Sequence, residues 1–378
     1  MLLSRRQFIL RGLGLLALAA GGGTYSFLQQ PKFGRAPTGE RLKRMQASPH
    51  YADGKFHNLV PTEVMTNEGN SDNRVVATLK FLFGDKKGLV PGQPMLSHKT
   101  DIRVLNSKED VVIWLGHSSF YLQLAGKRIL IDPVFSAYAS PVFFANKAFP
   151  GSNIYTAKDF PDIDLLVMSH DHWDHLDYPT IMSLQKKIKH IVCPLGVGGY
   201  FEDWGFAPDM IFEGDWGDSF PIFPDMTVHI LPAQHFSGRL LKQNPTLWCG
   251  FAFTTRQKKV YFTGDGGYGA HFKDIGRQFG GFDLAIAENG QYDLNWHQIH
   301  MLPEETAQAM ADVGAKLVLP AHNSKFALAR HLWQEPMQRL TTASRDKAYT
   351  LLTPEIGDLV HINSKQPDSF GPWWEEMT

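Results

Sequence analysis

The segment VMSHDHWDHLDYP, residues 167–179, sets His170, His172 and His175 among Asp171, Asp174 and Asp177. An apolar run, DLLVMS, leads directly into it. His170 and His172 are two positions apart. In an extended or turning backbone, side chains at that spacing point the same way. Both imidazoles can therefore reach one metal ion. Asp174 and His175 follow on the same turn and can reach a second ion nearby. A divalent ion such as zinc takes about four ligands, or three plus an open water position in a catalytic site. One turn cannot close two such sites, so other segments must complete them.

Those segments share a pattern. MTVHILPAQ runs into His235, KKVYFTG into Asp265, and AKLVLPA into His322, while FDLAIAE ends on Glu288. Each is an apolar, strand-like run with a polar residue at or just past its end. Such residues converge if their strands share a sheet, and sites in layered α/β folds gather beyond strand carboxyl ends. His235 can complete the first metal position and His322 the second. Asp265 has two carboxylate oxygens and could bridge both. Further strands are expected at VVIWLG, FYLQL and KRILIDP, with a hairpin turn at Ala125-Gly126-Lys127. Helices are expected at YPTIMSLQKKI and PEETAQAMADV, the latter with Pro303, Glu304 and Glu305 in its first turn. Asp177 is placed to cap the first of these helices.

The chain has 378 residues, 43% hydrophobic and 20% charged, which permits a large soluble core. The formal net charge of −1 gives no field for nucleic acid, so no nucleic-acid partner is expected. Sixteen histidines against two cysteines favour nitrogen and oxygen ligands. Cys193 and Cys249 read as two buried thiols, unless the fold brings them together. Residues 1–30 carry Arg5 and Arg6 in an S-R-R-x-F pattern before GLGLLALAAGGG. This is the form of a twin-arginine export signal or a short anchor, cleaved or not, and it predicts a periplasmic or outward-facing, membrane-anchored protein. Residues 31–105 are expected to form an extension packed on the domain, with a short amphipathic helix at 74–83. Residues 106–378 are expected to form the domain that carries these ligands. The loop 135–155 is rich in aromatics. Phe143, Phe144 and Phe149 either pack on the domain or lean into a bilayer.

The order H-x-H-x-D-H, then isolated His, Asp and His at strand ends, resembles the metallo-β-lactamase superfamily. The resemblance covers roughly residues 106–360. It implies an αββα sandwich with a metal centre at one edge. The ligands it implies are His170, His172, Asp174, His175, His235, Asp265 and His322. Asp265 stands where the lactamase branch has Cys, which favours phosphodiesterases, lactonases and thioester hydrolases. WLGHSSF (114–120), LIDPVFS (130–136), HDHWDHLD (170–177), PAQHFSGR (232–239) and IHMLPEE (299–305) look like a closer branch. That branch comprises the phospholipases D that hydrolyse N-acyl phosphatidylethanolamine and bacterial RomA-like proteins. SPHYADGKFHN (48–58) is similar to its N-terminal region.

The resemblance implies two divalent ions, zinc first, with iron or manganese also suited. A metal-bridging hydroxide would attack phosphorus, since metal lowers the pKa of bound water to about 7. Two divalent ions, two carboxylates and one hydroxide leave a net positive site, which favours an anionic group such as a phosphodiester. Asp174 and His300 are the catalytic candidates, His300 standing where the branch has a substrate-side histidine. His117 and Asp132 are candidates for orienting ligands, and Glu288 for a place in or behind the ligand set. The expected reaction is phospholipase D-type cleavage of (N-acyl) phosphatidylethanolamine-like lipids at a membrane surface. The alternatives are a lactonase or esterase of a small anionic substrate and, from another class, a non-catalytic metal-binding envelope protein. The oligomeric state is not readable from these patterns.

Overall fold

The structure, a computed structural model, describes residues 22–66, 87–239, 242–363 and 365–377. Most of residues 1–30, read from the sequence as an export signal or anchor, and the helix expected at 74–83 lie outside the described residues. Among the described residues, no helix is long and apolar enough to cross a membrane.

The first sheet is built from β1 (Val111–Trp114), β2 (Phe120–Leu124), β3 (Lys127–Ile131), β4 (Leu165–Val167), β5 (Ile191–Pro194) and β6 (Ile211–Gly214). The second contains β7 (Ser219–Phe223), β8 (Met226–Leu231), β9 (Gly250–Thr255), β10 (Lys259–Phe262), β11 (Phe282–Glu288), β12 (Ala315–Ala321) and β13 (Thr350–Leu351). β14 (Leu359–His361) returns to the first sheet and pairs with β1, giving the order β14-β1-β2-β3-β4-β5-β6. The other order is β13-β12-β11-β10-β9-β8-β7. The hairpin expected at Ala125-Gly126 joins β2 to β3, with both residues at positive φ.

Alternation within the strands explains the layering. On β1, Val112 and Trp114 face the other sheet and share one core with its Val228, Phe251, Leu284 and Leu317. Their neighbours Ile113 and Leu115 belong to a second core with Ile181 and Phe201, carried by the helices α2 (Tyr178–Leu184) and α3 (Gly198–Asp203). The second sheet does the same. Tyr261, Ala285 and Val318 pack outward on Phe272, Ile275 and Met310, from α4 (His271–Phe279) and α5 (Pro303–Asp312). Both faces of each sheet are covered, so the strands read as nearly continuous apolar runs. The result is the expected αββα sandwich.

Topology fixes where the polar strand ends go. β3 and β4 are parallel, and β1 runs the same way because each is antiparallel to β2. β10, β11 and β12 are parallel, and β8 runs with them through the antiparallel β9. Thus the ends before His117, Asp132, His170, His235, Asp265 and His322 all lie at one edge.

The N-terminal extension is clamped to this body. On α1 (Gly39–Ala47), Arg41 pairs with Glu202 at 2.7 Å and with Glu213 at 3.0 Å, and Arg44 also pairs with Glu213. Glu213 is buried on β6 and also accepts the N–H groups of Gly196 and Gly198. Its removal leaves buried donors and a half-buried cation without an acceptor. Glu213→Ala should therefore cost about 3 kcal/mol in urea unfolding and open residues 31–60 to limited proteolysis. An unchanged unfolding midpoint would show that the clamp holds nothing.

Candidate metal centre

The turn after β4 is tight, with the amides of His175 and Leu176 bonded back to the His172 carbonyl. It brings His170 Nε2 to 2.9 Å from His172 Nδ1. His235, arriving from β8, places its Nε2 3.3 Å from the same His172 nitrogen. These three residues form one donor group. Asp174, His175, His322 and His117 form a second. Asp265 lies between the groups. Its Oδ2 is 3.9 Å from both His170 Nε2 and His235 Nε2, and 3.0 Å from His175 Nε2. The structure thus brings together all seven ligand residues expected from the sequence.

Hydrogen bonds behind the rings decide which nitrogens carry protons. Asp132, at positive φ just past β3, accepts from the Ser169 amide at 2.8 Å and from His175 Nδ1 at 2.8 Å. It also accepts the Ser169 hydroxyl proton in a short bond. With that proton committed, Ser169 Oγ can only accept from His170 Nδ1, 2.9 Å away. His235 Nδ1 faces the Ile299 carbonyl at 3.0 Å and must donate to it. The inward-facing nitrogens of His170 and His235 are therefore bare lone pairs, and that of His175 is one whenever its ring is neutral. His172 Nδ1 holds at most one proton, so it cannot satisfy both lone pairs it meets. His322 Nε2 and Asp265 Oδ1 are buried without hydrogen-bond partners.

Such a convergence is unfavourable unless a cation sits within it. Burial and the neighbouring imidazoles hold His170 and His235 well below the usual histidine range, as neutral ligands. Burial also opposes charge on His175, but the carboxylates of Asp265 and Asp174 outweigh it and raise its pKa well above normal. A positive charge is thus favoured at its inward nitrogen, as a proton in the protein alone or as a metal ion in that proton's place. Imidazole nitrogen and carboxylate oxygen suit zinc, iron or manganese.

His117, also at positive φ, puts its Nε2 2.8 Å from Asp174 Oδ2 and so holds that carboxylate. Its backbone exchanges hydrogen bonds with the loop carrying His322. His300 Nδ1 pairs with Glu288 in a short contact, and Glu288 also accepts the Met301 amide. Burial pushes Glu288 up to about 7 despite the favourable charge of His300. His300, Asp174, His172 and Asp265 line a cleft of about 210 Å³ whose other walls are largely apolar, including Val64, Met65 and Trp296.

Several residues escape sequence reading. Ser169 is hidden because it looks like the ordinary end of a strand, although its place before His170 is the signal. Lys325 is buried, and its ammonium binds the carbonyls of Leu115 and Val134, tying together the loops that bear His117 and Asp132. Burial pulls its pKa down to about 7. Asp177 occupies the N-cap position of α2 but makes no side-chain cap bond. It binds Ser136 and Thr180 instead, because the 135–155 loop packs there. Cys193 and Cys249 are free, buried thiols. The aromatic loop divides: Phe149 is buried, while Phe143 and Phe144 are 78% and 76% exposed.

Asp132 sets two imidazoles at once, so Asp132→Ala should weaken metal retention by about 10–100-fold in chelator competition. Retention equal to the parent protein would contradict the proton assignment.

Comparisons with known proteins place this geometry. A family model described as a beta-lactamase superfamily domain matches residues 127–323, just over half of the chain. An uncharacterized protein of Mycobacterium tuberculosis is 36% identical over 336 residues, covering 87% of this chain and 88% of that one. The outer membrane protein RomA of Klebsiella pneumoniae is 61% identical over 102 residues, 27% of this chain and 77% of that protein. An N-acyl-phosphatidylethanolamine-hydrolyzing phospholipase D of Caenorhabditis elegans is 32% identical over 264 residues, 65% of this chain and 74% of that enzyme. Among solved structures, the metallo hydrolase Igni18 of Ignicoccus hospitalis shares the fold, with a TM-score of 0.50 and 22% identity over 66% of this chain and 97% of that one. With this coverage and a buried donor set that fits divalent ions, the chain belongs to the metallo-β-lactamase superfamily and is a metal-dependent hydrolase.

Proposed function

We propose that the protein is a phospholipase D-type phosphodiesterase acting on N-acyl phosphatidylethanolamine-like lipids. One observation carries the reading: a cleft with metal-binding donors at its floor, a paired histidine in its wall and apolar side chains around them. The charged floor suits a phosphodiester, and the apolar walls suit its acyl chains. The likeness to a nematode enzyme that by its name hydrolyses N-acyl phosphatidylethanolamine supports the same substrate class. A lactonase of small anionic substrates would use the same donors, but it has no need of the apolar walls.

Two divalent ions, when bound, would polarise the phosphoryl oxygens and acidify a water. The chain's own residues do the rest. His117 fixes Asp174 at the cleft edge, where its ionised carboxylate takes the proton lost by the attacking water. Glu288 holds His300 by Nδ1 and keeps that imidazole charged more readily than a free histidine, against the penalty of its burial. His300 then gives a proton to the oxygen that leaves as the phosphorus–oxygen bond breaks. Water's oxygen ends on phosphorus, and the headgroup leaves as its neutral alcohol.

Membrane contact and export belong to the same proposal. Phe143 and Phe144 sit at the tip of a finger closed by hydrogen bonds between Ala139 and Asn146 and between Ala137 and Ala148. The finger's base packs with Phe326 and Leu328, and Leu328 lines the cleft. An exposed aromatic pair beside the cleft supports docking on lipid. Arg5 and Arg6 support export to the outer side of the inner membrane.

Metal-loaded protein incubated with N-acyl phosphatidylethanolamine should release phosphatidic acid and N-acylethanolamine, read by mass spectrometry. His300→Ala should lower kcat by about 10²–10⁴-fold with metal content unchanged. Hydrolysis of lactones or soluble esters without lipid cleavage would overturn the substrate assignment. Full lipid turnover by His300→Ala would overturn the role of His300.

A further inference from the structure

The segment 56–66 leaves the N-terminal extension and crosses the edge of the sandwich. Phe56 anchors its start, fully buried with Met45, Leu195, Leu247 and Trp248. The backbone of Phe56 exchanges hydrogen bonds with Asn244 through its N–H and its carbonyl. At the far end, the Glu63 amide donates to Gln298 Oε1 at 2.9 Å, and the Thr66 amide donates to the Asn295 carbonyl at 2.7 Å. The segment is thus a strap tied down at both ends.

Between the ties, Asn58 grips the backbone of a metal-site histidine. Its Oδ1 accepts the His235 amide at 3.0 Å, and its Nδ2 donates to the His235 carbonyl at 2.8 Å. Trp248 Nε1 also donates to Asn58 Oδ1, at 3.2 Å, and so orients the amide group. The side-chain amide satisfies both backbone polar groups of His235 as a neighbouring strand would. His235 lies four residues past the end of β8, where no ladder holds its backbone. The ring itself is held from behind by its Nδ1 bond to the Ile299 carbonyl. Ring direction follows backbone direction, and a metal site tolerates little error in either.

We infer that Asn58 is a positioning residue for His235, so that the N-terminal extension is a working part of the metal centre. The same strap then delivers Val64 and Met65 to the cleft wall. One short segment joins a metal-site residue to the surface a substrate would touch. The inference needs the superfamily's metal chemistry but not the lipid substrate, so the two can fail separately.

The test is metal retention. Full-length protein loaded with zinc would be titrated against a chelator, alongside Asn58→Ala and Thr66→Ala. Thr66→Ala removes the hydroxyl bond to the Leu294 carbonyl and loosens the strap away from His235. Asn58→Ala should lose about 10-fold in affinity for one part of the bound metal, and cobalt-loaded protein should show an altered visible spectrum. Thr66→Ala should keep both the affinity and the spectrum. If Asn58→Ala lowers thermal stability but leaves chelator competition and spectrum unchanged, the grip is structural only and the inference fails. It also fails if Thr66→Ala weakens metal as much as Asn58→Ala, since any loosening of the strap would then suffice.

Discussion

One buried carboxylate governs the centre. Asp132 receives three hydrogen bonds, from the Ser169 amide, the Ser169 hydroxyl and His175. Through them it decides the proton position on His175 directly and on His170 by way of Ser169. Each ring, when neutral, is left with its lone pair facing inward, where the lone pair of His235 joins them. A buried imidazole nitrogen without a partner is costly. Donor groups whose atoms lie within 4.8 Å of one another make sense as a site built for a cation. The carboxylates of Asp174 and Asp265 complete it by supplying opposite charge at the same place.

That arrangement depends on strand direction more than on any single contact. The donors come from loops far apart in sequence, and they meet because the strands before them run the same way in two facing sheets. The apolar runs that bury both faces of each sheet end together at this edge, and chemistry begins where they end. Lys325 and Asn58 perform the same service at different points: each satisfies backbone groups on loops that the sheets no longer hold. Lys325 binds carbonyls beside His117 and Asp132, and Asn58 binds His235.

Much of this was legible in the sequence. The apolar runs before His170, His235, Asp265 and His322 announce their strands by composition, and the crowded 170–175 turn announces ligands by spacing. His117 and Asp132 were readable as orienting residues because short motifs surround them. Ser169, Asn58 and Lys325 were not, since their importance lies in what they touch across the fold. Serine, asparagine and lysine in loops are usually solvated, and no local pattern separates a buried bond to a distant carbonyl from that ordinary state. The aromatic loop was ambiguous for a related reason. Phe143, Phe144 and Phe149 look alike in sequence, and only the turn of the finger decides that one is buried and two are exposed.

The most direct measurement is anomalous X-ray diffraction from crystals of the metal-loaded protein, collected at the absorption edges of zinc, iron and manganese. An anomalous peak is expected about 2.0–2.2 Å from inward-facing nitrogens of His170, His172 and His235, and a second beside Asp174, His175 and His322, with Asp265 in reach of both. Rings hydrogen-bonded to one another around an interior with no anomalous signal would contradict that expectation.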